Sequence, residues 1–194
     1  MFSFLWPTLS DAQSNLFGLG KYIIGITAPD SLERTVFKEQ SESYIKGTLA
    51  LACRHIRMFK ADKKEIDGIL INNLTLCFYD NKLIKLSCDS NAELEKAFQV
   101  NYGRAEPRPV RQVSSCAQDK DSTMLMWGEA WQNGDIWALI VHRKGRNAEC
   151  EIENKVRLIV SSQALTSFAS DCDLKHIDPF IEEFDKMMDQ KTDR

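Results

Sequence analysis

The sequence predicts an α+β protein: antiparallel sheet in a tandem helix–strand-meander arrangement, with helices packed on one face. Three observations predict it. Two turn signals, Asp80-Asn81-Lys82 and Asn133-Gly134, each interrupt an alternating apolar run. A helical period follows Ser90, with Glu93 three residues on as a capping box. The stretch "AECEIENKVRLIV" alternates apolar and charged residues, as a half-buried strand does.

Taken in order, the opening "MFSFLWPTLSDAQS" is apolar but carries no basic start, and Pro7 interrupts it. It reads as an arm rather than a signal peptide. "FGLGKYIIGIT" reads as a first strand bounded by glycines. In "APDSLERTVFKEQ", Asp30 with Glu33 suggests another capping box, with Leu32, Val36 and Phe37 as the buried stripe of a helix. The chain from Tyr44 to Phe59 turns extended. Leu74, Leu76 and Phe78, then Leu83 to Leu86, form two strands about the Asp80-Asn81-Lys82 turn. Leu94, Ala97 and Phe98 recur at helical spacing, and Gly103 ends that helix. Pro107 and Pro109 open a linker without periodicity. Met124–Gln132 and Asp135–His142 make a hairpin. In the following strand Cys150, Ile152, Val156 and Leu158 face one way, and Glu149, Glu151, Glu153, Lys155 and Arg157 the other. Asp178-Pro179 starts a closing helix with Phe180, Phe184, Met187 and Met188 on its apolar side. The implied organisation is an arm at 1–16, a first lobe at 17–106, a linker at 107–122 and a second lobe at 123–194, or one compact domain containing both lobes.

Length, 194 residues, suffices for a sizeable core, and a hydrophobic share of 43% with 27% charged residues is ordinary for a globular chain. A net charge of -3 lacks the basic footprint that phosphate neutralisation needs, so nucleic acid is not the expected partner. No apolar run reaches the roughly 18–20 residues of a membrane span. With no secretory signal read, the expected compartment is cytoplasmic, or periplasmic or secreted if the chain is a trimmed mature form. The six cysteines include no C-x-x-C pair and lie away from histidines at zinc-ligand spacing, so buried reduced thiols are expected. One or more disulfides are the alternative, with no pairing indicated. No metal or cofactor is expected, and no catalytic residue stands out. His55, His142 and His176 lie far apart. Glu153-x-Lys155 with Asp135 superficially matches a metal-dependent nuclease pattern, yet a solvated charged stripe explains it as well.

The stretch "FYDNKLIKL…AELEKAFQVNYGRAEP" resembles a pattern in small bacterial proteins of uncharacterised function, running through Tyr79–Leu83, Tyr102-Gly103, Pro107 and Trp131. Over residues 68–141 it is similar to the tandem helix-plus-sheet layout of β-lactamase-inhibitor proteins and outer-membrane-assembly lipoproteins. Cys116 and Cys172 have no place in that pattern. The resemblance implies a non-enzymatic binding module of inhibitor or immunity type.

The residues themselves point to one surface. With Asn133-Gly134 as a two-residue turn, Trp131 would oppose Ile136, Glu129 would oppose Ala138, and Trp127 would oppose Ile140. Trp127, Glu129, Trp131, Ile136, Ile140 and His142 then share a face, and Met126, Gly128, Ala130, Trp137, Leu139 and Val141 share the natural core face. Two tryptophans on a wet face are either a second core, covered by the linker, the arm or the final helix, or a docking surface. Tryptophan is enriched at binding hot spots. The expected function is therefore a protein-binding module using those six residues, with a protein partner. The alternatives are a small hydrolytic enzyme with a site assembled from distant residues, and a structural or assembly protein, for which a homo-oligomer would be the sign.

Overall fold

The computed structural model describes residues 16–40, 55–114, 123–147 and 150–168. Within them the chain forms β1 (Gly18–Leu19), β2 (Tyr22–Ile23), a 3₁₀ turn (Pro29–Ser31), β3 (Lys38–Glu39), β4 (Ile56–Ile66), β5 (Ile69–Tyr79) and β6 (Lys82–Asp89). Helix α1 (Ala92–Tyr102) follows, then β7 (Glu106–Ser114), β8 (Thr123–Asn133), β9 (Ile136–Arg146), β10 (Ile152–Ser162) and the short α2 (Gln163–Phe168). The α+β class with a dominant antiparallel sheet is what the alternation indicated. Strands β3 to β10 form one sheet in the order β3-β4-β5-β6-β10-β9-β8-β7, every pair antiparallel.

Several elements differ from expectation for identifiable reasons. The first strand is a pair of two-residue strands folded about Gly20, whose φ of 54° permits the tight turn. Gly18 lies so close to its partner strand that a Cβ there would stand 2.1 Å from the Tyr22 carbonyl oxygen. The helix expected after Asp30 is reduced to the 3₁₀ turn and further turns. Glu33 does not close a capping box; its carboxylate takes Lys21 at 2.7 Å and also Lys64 of β4. Those bonds hold its pKa down at about 2. Leu32 and Phe37 are nevertheless buried, as the apolar spacing required. The Tyr44 to Phe59 stretch lies partly outside the described residues; from Ile56 it is strand β4. The turn joining β4 to β5 is Asp67-Gly68, both at positive φ, a hairpin signal the opening reading passed over.

The proline-bearing stretch read as linker contains strand β7. Proline is tolerated there because β7 ends the sheet's strand order and its ladder shifts register between Arg108 and Arg111. Helix α1 is capped by Asn91, whose side chain accepts the Leu94 N–H at 2.9 Å, one residue past the expected Ser90. Gly103 ends it at φ 80°. The closing helix at Asp178-Pro179 and residues 1–15 lie outside the described residues.

Both faces of the sheet are apolar. On the first, Leu74, Leu76, Phe78, Leu86, Ile140 and Leu158 meet Leu94 and Phe98 of α1 and Phe17, Tyr22 and Phe37 of the N-terminal segment. Aromatic rings bind these layers together. Phe17 stacks on Tyr102 at 4.1 Å between centroids, and the Tyr102 hydroxyl accepts the Gly18 N–H and donates to its carbonyl. The second face carries one cluster on Met124, Met126, Leu139, Val141 and Ile159 and another on Ile56, Met58, Cys77 and Ile84, where Leu165 of α2 packs. Burial on both sides explains why Leu158 through Ser162 are all buried, where a one-sided strand would alternate.

The cysteine expectation divides. Cys77 and Cys88 are reduced and buried, and burial pushes both thiols up to about 12. Cys150 is disulfide-bonded, with its partner outside the described residues. It sits before β10 in a turn at φ 66°, so it belongs to no strand face. Ile152, Val156 and Leu158 do share one face, but the opposite charged set is only partly wet. Glu153 keeps 10% of its side-chain exposure and stands 3.6 Å from Arg143.

Candidate partner-binding face

The Trp-rich hairpin keeps its faces and changes its register. The ladder pairs Asn133 with Ile136, Trp131 with Ala138, Glu129 with Ile140 and Trp127 with His142. The turn is thus Gly134-Asp135, with φ positive only at Gly134, where a type II′ turn places its glycine. Asp135 anchors it: its carboxylate accepts the Ser162 hydroxyl at 2.5 Å and its carbonyl the Gln163 N–H at 2.8 Å. The offset from the expected pairing is two residues, and an even offset leaves every side chain on its predicted face.

The six predicted residues therefore do stand on one side of the sheet, but α1 lies across half of them. Trp131 is 5% exposed and Ile140 fully buried. The Trp131 indole N–H donates to the Gly103 carbonyl at 2.9 Å, and Phe98 meets the ring edge-on at 5.4 Å. Ile136 packs at the margin of the same core. Among the described residues the cover is α1 and its C-terminal glycine; the final helix, most of the arm and half of the linker named as candidates lie outside the described residues. Glu129 sits at the border, accepting from Gln99 of α1 at 3.2 Å. Glu95, one turn earlier, has its pKa raised by burial, with His142 lowering it and Glu129 raising it.

Beyond this border the face changes character. Trp127 is half-buried and stacks on His142, centroids 5.1 Å apart and planes within 4°. Leu125, two residues along β8, is 38% exposed, and Ile152 of β10 is 83% exposed. The ladder sets Lys144 between Leu125 and Asn154, and Arg146 beside Ile152. Val110, in the β7 register shift, is also exposed. Apolar and cationic groups thus alternate over this end of the sheet. Sequence reasoning missed Leu125 and Ile152 as members, although both have the parity that groups them with Trp127. Val110 lay in the supposed linker and had no signal.

A cleft of about 820 Å³ opens at the other end of the hairpin, lined by Tyr102, Arg104, Asp67, Glu106, Trp131 and Trp137 among others. Elsewhere the candidate chemistry disperses. Asp135 is tied to Ser162, nine residues along β10 from Glu153, which is about 30 Å at strand rise. The nuclease-like triad therefore does not assemble. His55 pairs with Asp80 at 2.6 Å, and His176 lies outside the described residues. Among the described residues no three metal-ligating side chains gather, and no helix is long and apolar enough to cross a membrane. No protein-family model, curated protein or solved structure matches the chain.

Proposed function

We propose that this chain is a non-enzymatic protein-binding module whose contact surface is the end of the sheet beyond α1, centred on the Trp127–His142 stack. One observation carries the reading: a half-open indole is held flat against an imidazole, with exposed Leu125 and, farther along the same face, exposed Ile152. Stacking fixes the ring before any partner arrives, so little side-chain entropy remains to be lost on docking. Lys144 and Arg146 rim the apolar groups, which suits a partner with apolar anchors and acidic flanks. An inhibitor or immunity-type role is the most concrete form, and its support is the resemblance of residues 68–141 to β-lactamase-inhibitor-type proteins. The tandem helix–meander layout belongs to the same reading, and the mirrored strand order about the β6–β10 pair supports it; the expected packing of helices on one face does not hold for the described helices, since α1 covers the first face and α2 reaches the second.

The test is capture from the native host by wild-type chain, Trp127→Ala and Ile152→Asp, each checked by melting temperature. A specific protein retained by the wild type and lost from both folded variants supports the proposal. Equal retention by all three overturns it. The cleft favours a second reading, a small hydrolase in which Asp67 and Glu106 bring two carboxylates to one opening. Turnover of an ester or phosphoester panel that Asp67→Asn abolishes would establish that reading instead.

A further inference from the structure

The anchor at the open end of the sheet rests against a ring that can gain a proton. His142 of β9 pairs with Trp127 of β8 across the ladder, and their rings stack 5.1 Å apart and within 4° of parallel. Both side chains are half-buried, so the imidazole meets water as well as the indole. Histidine as a residue type changes charge near about pH 6.5. A neutral imidazole holds an indole by dispersion and alignment; an imidazolium adds attraction to the negative face of the ring.

The charges around this pair are divided by side. From α1, Glu95 is coupled to His142 electrostatically: burial raises its carboxyl, His142 lowers it and Glu129 raises it. Glu129 of β8 lies two residues from Trp127 on the same face and accepts from Gln99 of α1 at 3.2 Å. Outward along β9 come Lys144 and then Arg146, on the face of His142 by parity. β10 sets Val156 opposite His142 and Asn154 beside it, neither of them titratable. β7, across β8, brings Pro107 and the register shift with Pro109 and Val110, also without a titratable group on this face. Among the described residues, two acids thus stand on the α1 side of the ring and two bases on the outer side.

Building on the docking surface proposed above, we infer that His142 is a positioning residue that makes this surface proton-sensitive. Its imidazolium grips the Trp127 face and completes a row of three cations, His142, Lys144 and Arg146, at every second residue of β9. Glu95 and Glu129 draw the charged ring toward α1, which keeps it over the indole. Raising the pH loosens the brace and removes a cation together, so an acidic partner anchored on Trp127 is held more tightly below neutrality than above it.

Hydroxyl-radical footprinting of the full, partner-free chain reads the brace itself. With Trp131 as internal reference, Trp127 should be modified about two- to fivefold more slowly at about pH 6 than at about pH 8, the factor a cation adds at an exposed ring. His142→Phe keeps an aromatic ring without the proton and should abolish the response; His142→Gln serves if that variant does not fold. Glu95→Gln should retain it, because the proton belongs to the imidazole. An unchanged or faster wild-type rate at the lower pH overturns the inference. So does a response that survives in the folded His142 variant, or one lost in Glu95→Gln. Capture at the two pH values separates this from the docking reading. A protein retained through Trp127 should be held about two- to fivefold more tightly at the lower pH by the wild type, and equally at both by His142→Phe. Wild-type retention indifferent to pH overturns the inference. If no protein is retained, the docking reading fails and the footprint decides the brace alone.

Discussion

Trp127 and Trp131 stand four residues apart on the same face of the same strand, yet they live in different surroundings. Around Trp131, α1 supplies Phe98 and the Gly103 carbonyl, so the indole is sealed and its N–H satisfied. Trp127 is only half-buried, and among the described residues its ring stacks on the imidazole of His142 on the next strand. Sequence parity made the two equivalent. What separates them is where an eleven-residue helix comes to rest. A strand pattern decides which face a residue takes, and only the packing of a second element decides whether that face is core or surface.

Substitutions that bear on this contrast should grade accordingly. Trp131→Ala removes a sealed indole and leaves the Gly103 carbonyl without its donor, so denaturant titration is expected to show a loss of about 3–5 kcal/mol in unfolding free energy. A loss under about 1 kcal/mol would place Trp131 with Trp127. Ser162→Ala strips the buried hydroxyl from the Asp135 carboxylate that anchors the turn; about 1–3 kcal/mol should follow, with both indoles still on one face. A changed hairpin register, read from cross-strand nuclear Overhauser contacts, would show the anchor to be what sets that face. Trp127→Ala should cost about 1 kcal/mol or less, because the ring is partly wet in the free chain. The smallest effect belongs to a region remote from both rings. The Glu33 carboxyl sits at about 2 against an ordinary 4.5, through hydrogen bonds from Lys21 and Lys64. A depressed carboxyl stabilises above its unfolded pKa, and that contribution drains away as pH falls from about 4.5 toward 2. Glu33→Gln should flatten melting temperature over that window only, and slightly, since the cluster is exposed to solvent.

Much of this architecture was legible. Alternation located the hairpin strands, Gly103 the end of α1, and the Leu94–Phe98 spacing its buried stripe. What escaped were features set by partners distant in sequence. Glu33 looked like a helix cap because Lys64 was not in view. The 107–122 stretch hid an edge strand because prolines break local patterns without forbidding a place at the end of a sheet. The hairpin turn moved one residue because Asp135 is claimed by Ser162 and Gln163 from β10 and α2. Of the six site residues, parity placed all on one side. No local signal could say that Trp131 and Ile140 would be covered, or that Leu125 and Ile152 would join Trp127 at the open end.

Hydroxyl-radical footprinting of the two tryptophans in the native, partner-free chain tests the division most directly. Modification of Trp127 should run several-fold faster than that of Trp131, with Leu125 and Ile152 labelled alongside Trp127. Equal rates at the two indoles, or protection of Trp127 to the level of Trp131, would contradict the account and leave the sheet without its open end.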